Sequence, residues 1–148
     1  MALTDETISI LTEEVTKVHK SSLTELVLKR LDCFGYTATE KDAYVIGFSM
    51  QKVENSIKND CNVSEVPEGL TNTAVDMVCG EILGTFYRTG QLELSSLDLD
   101  GAIASVSVGG TSVSFDNNTS DDSKLNTLVS LLVNGGRGEF ACYRQIKW

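Results

Sequence analysis

The chain has 148 residues, of which 41% are apolar and 22% charged, and it carries a formal net charge of −9. That length is enough for one domain with its own hydrophobic core, held without disulfides or metals. The acidic balance argues against a surface for bare nucleic acid, which needs a basic stripe, and no apolar run has the length of a bilayer span.

The opening MALTDETISI carries acids where a secretory signal has a basic region, so synthesis in the cytoplasm without a leader is expected. Cys33, Cys61, Cys79 and Cys142 lie far apart beside apolar patterns, with no CxxC pair and no histidine nearby. Four buried, reduced thiols are therefore expected. Charge is unevenly placed: no Lys or Arg stands between Arg88 and Lys124, whereas Arg137, Arg144 and Lys147 follow Gly136. An acidic middle and a basic tail can meet across copies in an oligomer, or can simply form a solvated surface.

Thr4 is a candidate N-cap for a first helix over residues 4–18, with Asp5 and Glu6 in its first turn and a narrow stripe of Ile8, Leu11, Val15 and Val18. His19 follows in a polar stretch with no partner at ligand spacing, so no catalytic or metal role is expected of it. A second helix starts at Ser21 or Ser22, with Glu25 completing a capping box, and buries Leu23, Leu26, Val27, Arg30 and Leu31; Gly35 ends it. Thr39 caps the third pattern, in which Ile46, Met50, Val53, Ile57 and Cys61 recur at steps of three and four. Gly47 inside it is a candidate for close contact with a neighbouring helix.

Asn62 and the run from Ser64 to Gly69 stop that helix and start another. Pro67 is tolerated near the new helix start, where its missing N–H needs no partner. Leu70, Ala74, Met77, Val78, Ile82 and Phe86 give the fourth pattern a buried face, so the stretch from Tyr44 to Gly90 predicts a helical hairpin. Asp76 and Glu81 near that face have no nucleophile or base at workable spacing, and helix-surface acids or buried partners for Arg or Lys are the expected role.

Beyond Gly90 comes an irregular apolar linker, Leu92, Leu94, Leu97 and Leu99, and then a change of period. Ser105-Val106-Ser107-Val108 and Ser112-Val113-Ser114-Phe115 alternate about Gly109-Gly110, which predicts a β-hairpin over 102–116. Two strands are not stable alone, so the Val and Phe face must lie on helices or on a partner's sheet. The Gly-Gly pair lacks the lysine and the strand-to-helix setting of a phosphate loop, and the polar loop from Asp116 to Ser123 lacks the glycine and glutamate of a calcium loop. Leu125, Leu128, Val129, Leu132 and Val133 then predict a last helix, ended by Asn134-Gly135-Gly136. The tail over 137–148 gathers Phe140, Tyr143, Ile146 and Trp148, too much aromatic area to leave in water. The expected fold is mainly α: a compact bundle of four to five helices with a projecting hairpin and an aromatic C-terminal tail.

FGYTATEKD, QKVENSIKNDCNVSEVPEGL, AVDMVCGE, GGTSVSF and FACYRQIKW, in that order, resemble the head-tail connector (adaptor) proteins of tailed bacteriophages and prophages of Gram-positive bacteria. The resemblance covers about Leu23 to Trp148, leaving residues 1–20 as an N-terminal helical extension to a single connector domain over 21–148. It implies a non-enzymatic structural protein with no active site, cofactor or metal. Such a protein forms a ring with itself, about twelvefold, or sixfold if matched to a tail. The ring joins portal and head to tail terminator, completion or tube proteins, and DNA passes through only as cargo, repelled by an acidic channel. By the same analogy Ile103, Val106, Val108, Val113 and Phe115 of the hairpin, and Phe140, Tyr143, Arg144, Ile146 and Trp148 of the tail, are the expected subunit or partner contacts. The expected location is the neck of a virion or tail-like particle assembled in the bacterial cytoplasm, without membrane. Two alternatives stay open: a collar or tube-capping ring of a headless contractile tail-like bacteriocin, and a small helical binding or regulatory protein of the host cytoplasm.

Overall fold

The computed structural model describes residues 4–106 and 119–146. Six α-helices follow one another, α1 (Asp5–Thr16), α2 (Thr24–Cys33), α3 (Ala43–Cys61), α4 (Thr71–Arg88), α5 (Leu99–Val106) and α6 (Asp121–Asn134). Short 3-10 turns at Glu40–Asp42, Glu68–Leu70, Leu94–Ser96 and Arg137–Cys142 punctuate them. No strand forms among the described residues.

Local chemistry sets most of the boundaries. Thr4 Oγ1 accepts a hydrogen bond from the Thr7 N–H at 3.2 Å, and Asp5 and Glu6 sit where the helix dipole favours them. The Thr39 N–H donates to Asp42 Oδ2 at 3.0 Å and turns the chain into α3. Asn62 stops α3 in the left-handed region at φ 56°, a conformation that asparagine tolerates better than most residues. The capping box expected of Ser22 and Glu25 does not form. Leu23 is drawn into the core and becomes the cap residue itself, its N–H bonded to Ser21 Oγ at 3.1 Å, while Glu25 pairs with Lys29 one turn on at 2.9 Å.

The hairpin of α3 and α4 forms as its pattern predicts, with all five apolar positions of α3, the five of α4 and Leu70 just before it buried. The two helices are unequal. α3 keeps a solvent face, whereas ten of the eighteen residues of α4 are buried and spread around its whole circumference, the signature of a helix enclosed by others. α2, α3 and α6 all pack along it. Two glycines make room on one side: a Cβ added at Gly80 would stand 2.8 Å from Leu132 Cβ and from Val133 Cγ2, and one at Gly84 would stand 3.4 Å from Val129 Cγ1. α6 therefore approaches the backbone of α4 more closely than side chains would allow.

α1 lays Ile8, Leu11 and Val15 into the same core, packed on α2 and α3. Gly47 lets the turn after α1 come close, since an added Cβ would meet Val18 Cβ at 2.7 Å. Of the α2 residues expected inside, Leu26 is 46% exposed and Arg30 lies half-buried against Asp76.

The predicted hairpin over 102–116 is corrected where the structure describes it. Ile103 and Val106 belong to α5, whose Leu99, Ala102 and Ile103 turn inward at helical spacing against α6. Packing on a neighbouring helix decides between two periods that the short run Ala-Ile-Ala-Ser-Val satisfies equally. Val108, Val113 and Phe115 lie outside the described residues, as does Trp148. The cysteines are also corrected: Cys61 and Cys79 are buried, but Cys33 and Cys142 are exposed. Burial pushes the Cys79 thiol well above its ordinary range. A maleimide at neutral pH is therefore expected to modify two thiols of the folded chain rapidly and the other two only on unfolding. Mass analysis of C33S/C142S, which should lose the rapid phase entirely, checks the assignment.

Candidate functional site: the C-terminal segment on the α3–α4 loop

The described part of the tail is fastened to the loop between α3 and α4. Phe140 is 1% exposed, filling the core where α3 ends, and its carbonyl accepts from Cys61 Sγ at 3.7 Å. Beyond it the chain returns two bonds to the end of α3. The Gln145 N–H donates to the Cys61 carbonyl at 2.8 Å, and Asn62 Nδ2 donates to the Gln145 carbonyl at 3.0 Å. The left-handed turn at Asn62 exposes both groups to the tail, so the residue that stops α3 also holds the C-terminal segment. Thr73 Oγ1 donates to Glu139 at 2.7 Å, and Arg137 faces Asp60 at 3.7 Å.

Tyr143 lies over Gly69, where any Cβ would collide with its ring and hydroxyl. A cleft of about 810 Å³ opens beside it, walled by Val63, Val66 and Pro67 on the loop and by Cys142 and Arg144 on the tail. Glu65 and Glu68 stand at its edge with Arg144. The cleft is thus mostly polar, with a few apolar side chains from the loop and charges of both signs. Among the described residues no cluster of His, Cys, Asp and Glu stands close enough to hold a metal ion, and no helix is long and apolar enough to cross a membrane.

The residues expected to make contacts separate into two groups. Ile103 is 2% exposed against α6 and Phe140 is inside the core, so in this conformation both serve the chain's own packing. Val106 and Tyr143 are half-buried, whereas Arg144 and Ile146 point outward, Ile146 at 80% exposure. The structure brings Phe140, Tyr143, Arg144 and Ile146 onto one end of the bundle and leaves Ile103 and Val106 on α5.

The polar residues near apolar faces have partners. Arg30 Nε donates to Asp76 at 2.9 Å, Lys52 bridges to Glu81 at 3.1 Å, and His19 Nε2 lies 2.7 Å from Glu54, tying the α1–α2 turn to α3. Tyr36 donates its hydroxyl to Asp42 at 2.8 Å and packs its ring on Phe86 at 5.2 Å. Burial first, and then the bond to Asp42, raises its phenol far above the ordinary range, so it remains a donor.

Sequence reasoning passed over an exposed pair on α3. Tyr44 and Phe48 are 65% and 53% exposed, their rings stacked with centroids 6.2 Å apart. Their spacing of four, out of phase with Ile46, Met50 and Val53, was the available signal. No family model, curated protein or solved structure matches the chain.

Proposed function

We propose that this protein is a non-enzymatic structural component of a phage neck, a ring-forming connector that joins head to tail and continues the DNA channel. The observation that carries the reading is the outward presentation of the C-terminal segment. Its backbone is pinned by Gln145 and Asn62, yet Arg144, beside a mostly polar cleft, and Ile146 are offered to solvent. An anchored segment with outward side chains suits attachment of a neighbouring protein, because little chain entropy remains to be lost on binding. The order of motifs resembling the connector family supports the same reading. An acidic chain is also appropriate beside passing DNA, whose phosphates it repels.

The test is fractionation of particles from a producing culture that carries an epitope-tagged copy of the full chain. The protein is expected to sediment with intact particles and to appear in images as a ring at the head–tail junction. R144E/I146D, folded by circular dichroism, is expected to lower incorporation at least about tenfold by removing the outward contacts. A protein found only in the soluble fraction as a monomer overturns the reading.

A further inference from the structure

The aromatic pair on α3 is part of a longer exposed stripe. Lys41, Tyr44, Phe48 and Lys52 follow at steps of three and four and are all exposed, because Ile46, Met50 and Val53 take the inward face. Among the described residues no ion pair engages Lys41, and Lys52 leans on Glu81 while its side chain stays 59% exposed. Two stacked rings flanked by ammonium groups form an amphipathic patch that favours an acidic, partly apolar occupant.

An acidic surface exists on the same molecule. Asp98, Asp100, Asp121 and Asp122, all exposed, gather where α5 and α6 begin, as the contact of Lys124 with Asp100 at 3.1 Å demonstrates. The Lys41 end of the stripe and the acidic cluster lie at the same height. The start of α3 is tied to the end of α4 through Asp42, Tyr36 and Phe86, and the start of α6 is tied there through the bond from the Tyr87 hydroxyl to Asp122 at 2.6 Å. They belong to different flanks, since α3 and α6 pack on α4 rather than on each other. A contact between unlike faces is heterologous, and it generates a ring when the rotation it imposes on successive copies closes.

We infer that the occupant of the Lys41–Tyr44–Phe48–Lys52 stripe is a second copy of this chain, docked through the acidic end where α5 and α6 begin. The inference deepens the ring reading above and rests on it.

Charge exchange tests it. Sedimentation and light scattering of the full chain are expected to show self-association that weakens between low and high salt. K41E and, separately, D121K are each expected to raise the dissociation constant at least about tenfold, by setting like charges against each other. F48S should do the same, by a factor that salt leaves unchanged. An equimolar mixture of K41E with D121K should recover assembly, because every contact in a mixed ring then pairs opposite charges, whereas a fault in folding would not be rescued. If the wild type assembles but K41E and F48S assemble equally well, the docking assignment falls and the ring reading stands. A wild-type chain monomeric even at about millimolar concentration also overturns the assignment, and particle fractionation then decides the ring reading by itself.

Discussion

Gly80→Leu is expected to destabilise the folded chain by about 3 kcal/mol or more, the upper range for forcing a side chain into a packed interior. A Cβ at this position already reaches 2.8 Å from Leu132 Cβ and Val133 Cγ2, with the Val133 backbone nitrogen at 3.3 Å. Leu132 is 1% exposed and has no room to yield, and the Val133 backbone is held in the same helix. Gly80→Ala separates sterics from propensity. Alanine gains about 1 kcal/mol in a helix interior, so a net loss in the urea midpoint means that the clash outweighs the gain. Gly138→Ala, where an added methyl meets nothing within 4 Å, serves as the control and should change stability little. A stabilised Gly80→Ala would show that α6 does not seat on this face.

Phe140→Ala is expected to cost about 3–5 kcal/mol, the usual range for emptying a buried aromatic site. Its ring is 1% exposed and anchors the segment that Gln145 and Asn62 then hold. Loss of the anchor should also release the tail, read as faster proteolysis after Arg144 in the variant than in the wild type. Tyr143→Ala, which removes a half-buried ring lying over Gly69, should cost less. A Phe140→Ala variant within about 1 kcal/mol of wild type would show that the tail is only loosely seated and that Phe140 is available to other chains.

The fold was legible where several signals agreed. Thr4 with Asp5 and Glu6, the matched stripes of α3 and α4, and the stop at Asn62 each combine a cap or breaker with a 3.6-residue period, and each forms as expected. α5 was illegible because serine–valine alternation and helical spacing coincide over so few residues, and only its neighbour α6 decides between them. Cys33 shows a different failure. Its burial was inferred from the habits of cysteine, while Val27 and Leu31 already fix the inward side of α2 and leave Cys33 outside.

The candidate site was legible by composition alone. An aromatic terminal run announces docking, but which rings turn inward depends on Gly69 and Asn62, residues far away in sequence and ordinary by themselves. Tyr44 and Phe48 were passed over because attention to the buried period hides its complement. The full enclosure of α4 was also unreadable in advance, since its glycines resemble weak points of a helix until α6 is seen against them.

That enclosure has a consequence for biosynthesis. The ribosome delivers α1 to α4 first and α6 last, so the face of Gly80 and Gly84 emerges, complete and uncovered, well before the helix that closes it. For that interval the nascent chain carries an apolar groove shaped to accept a helix. Its protection from the α6 of another nascent copy depends on how quickly its own α6 arrives.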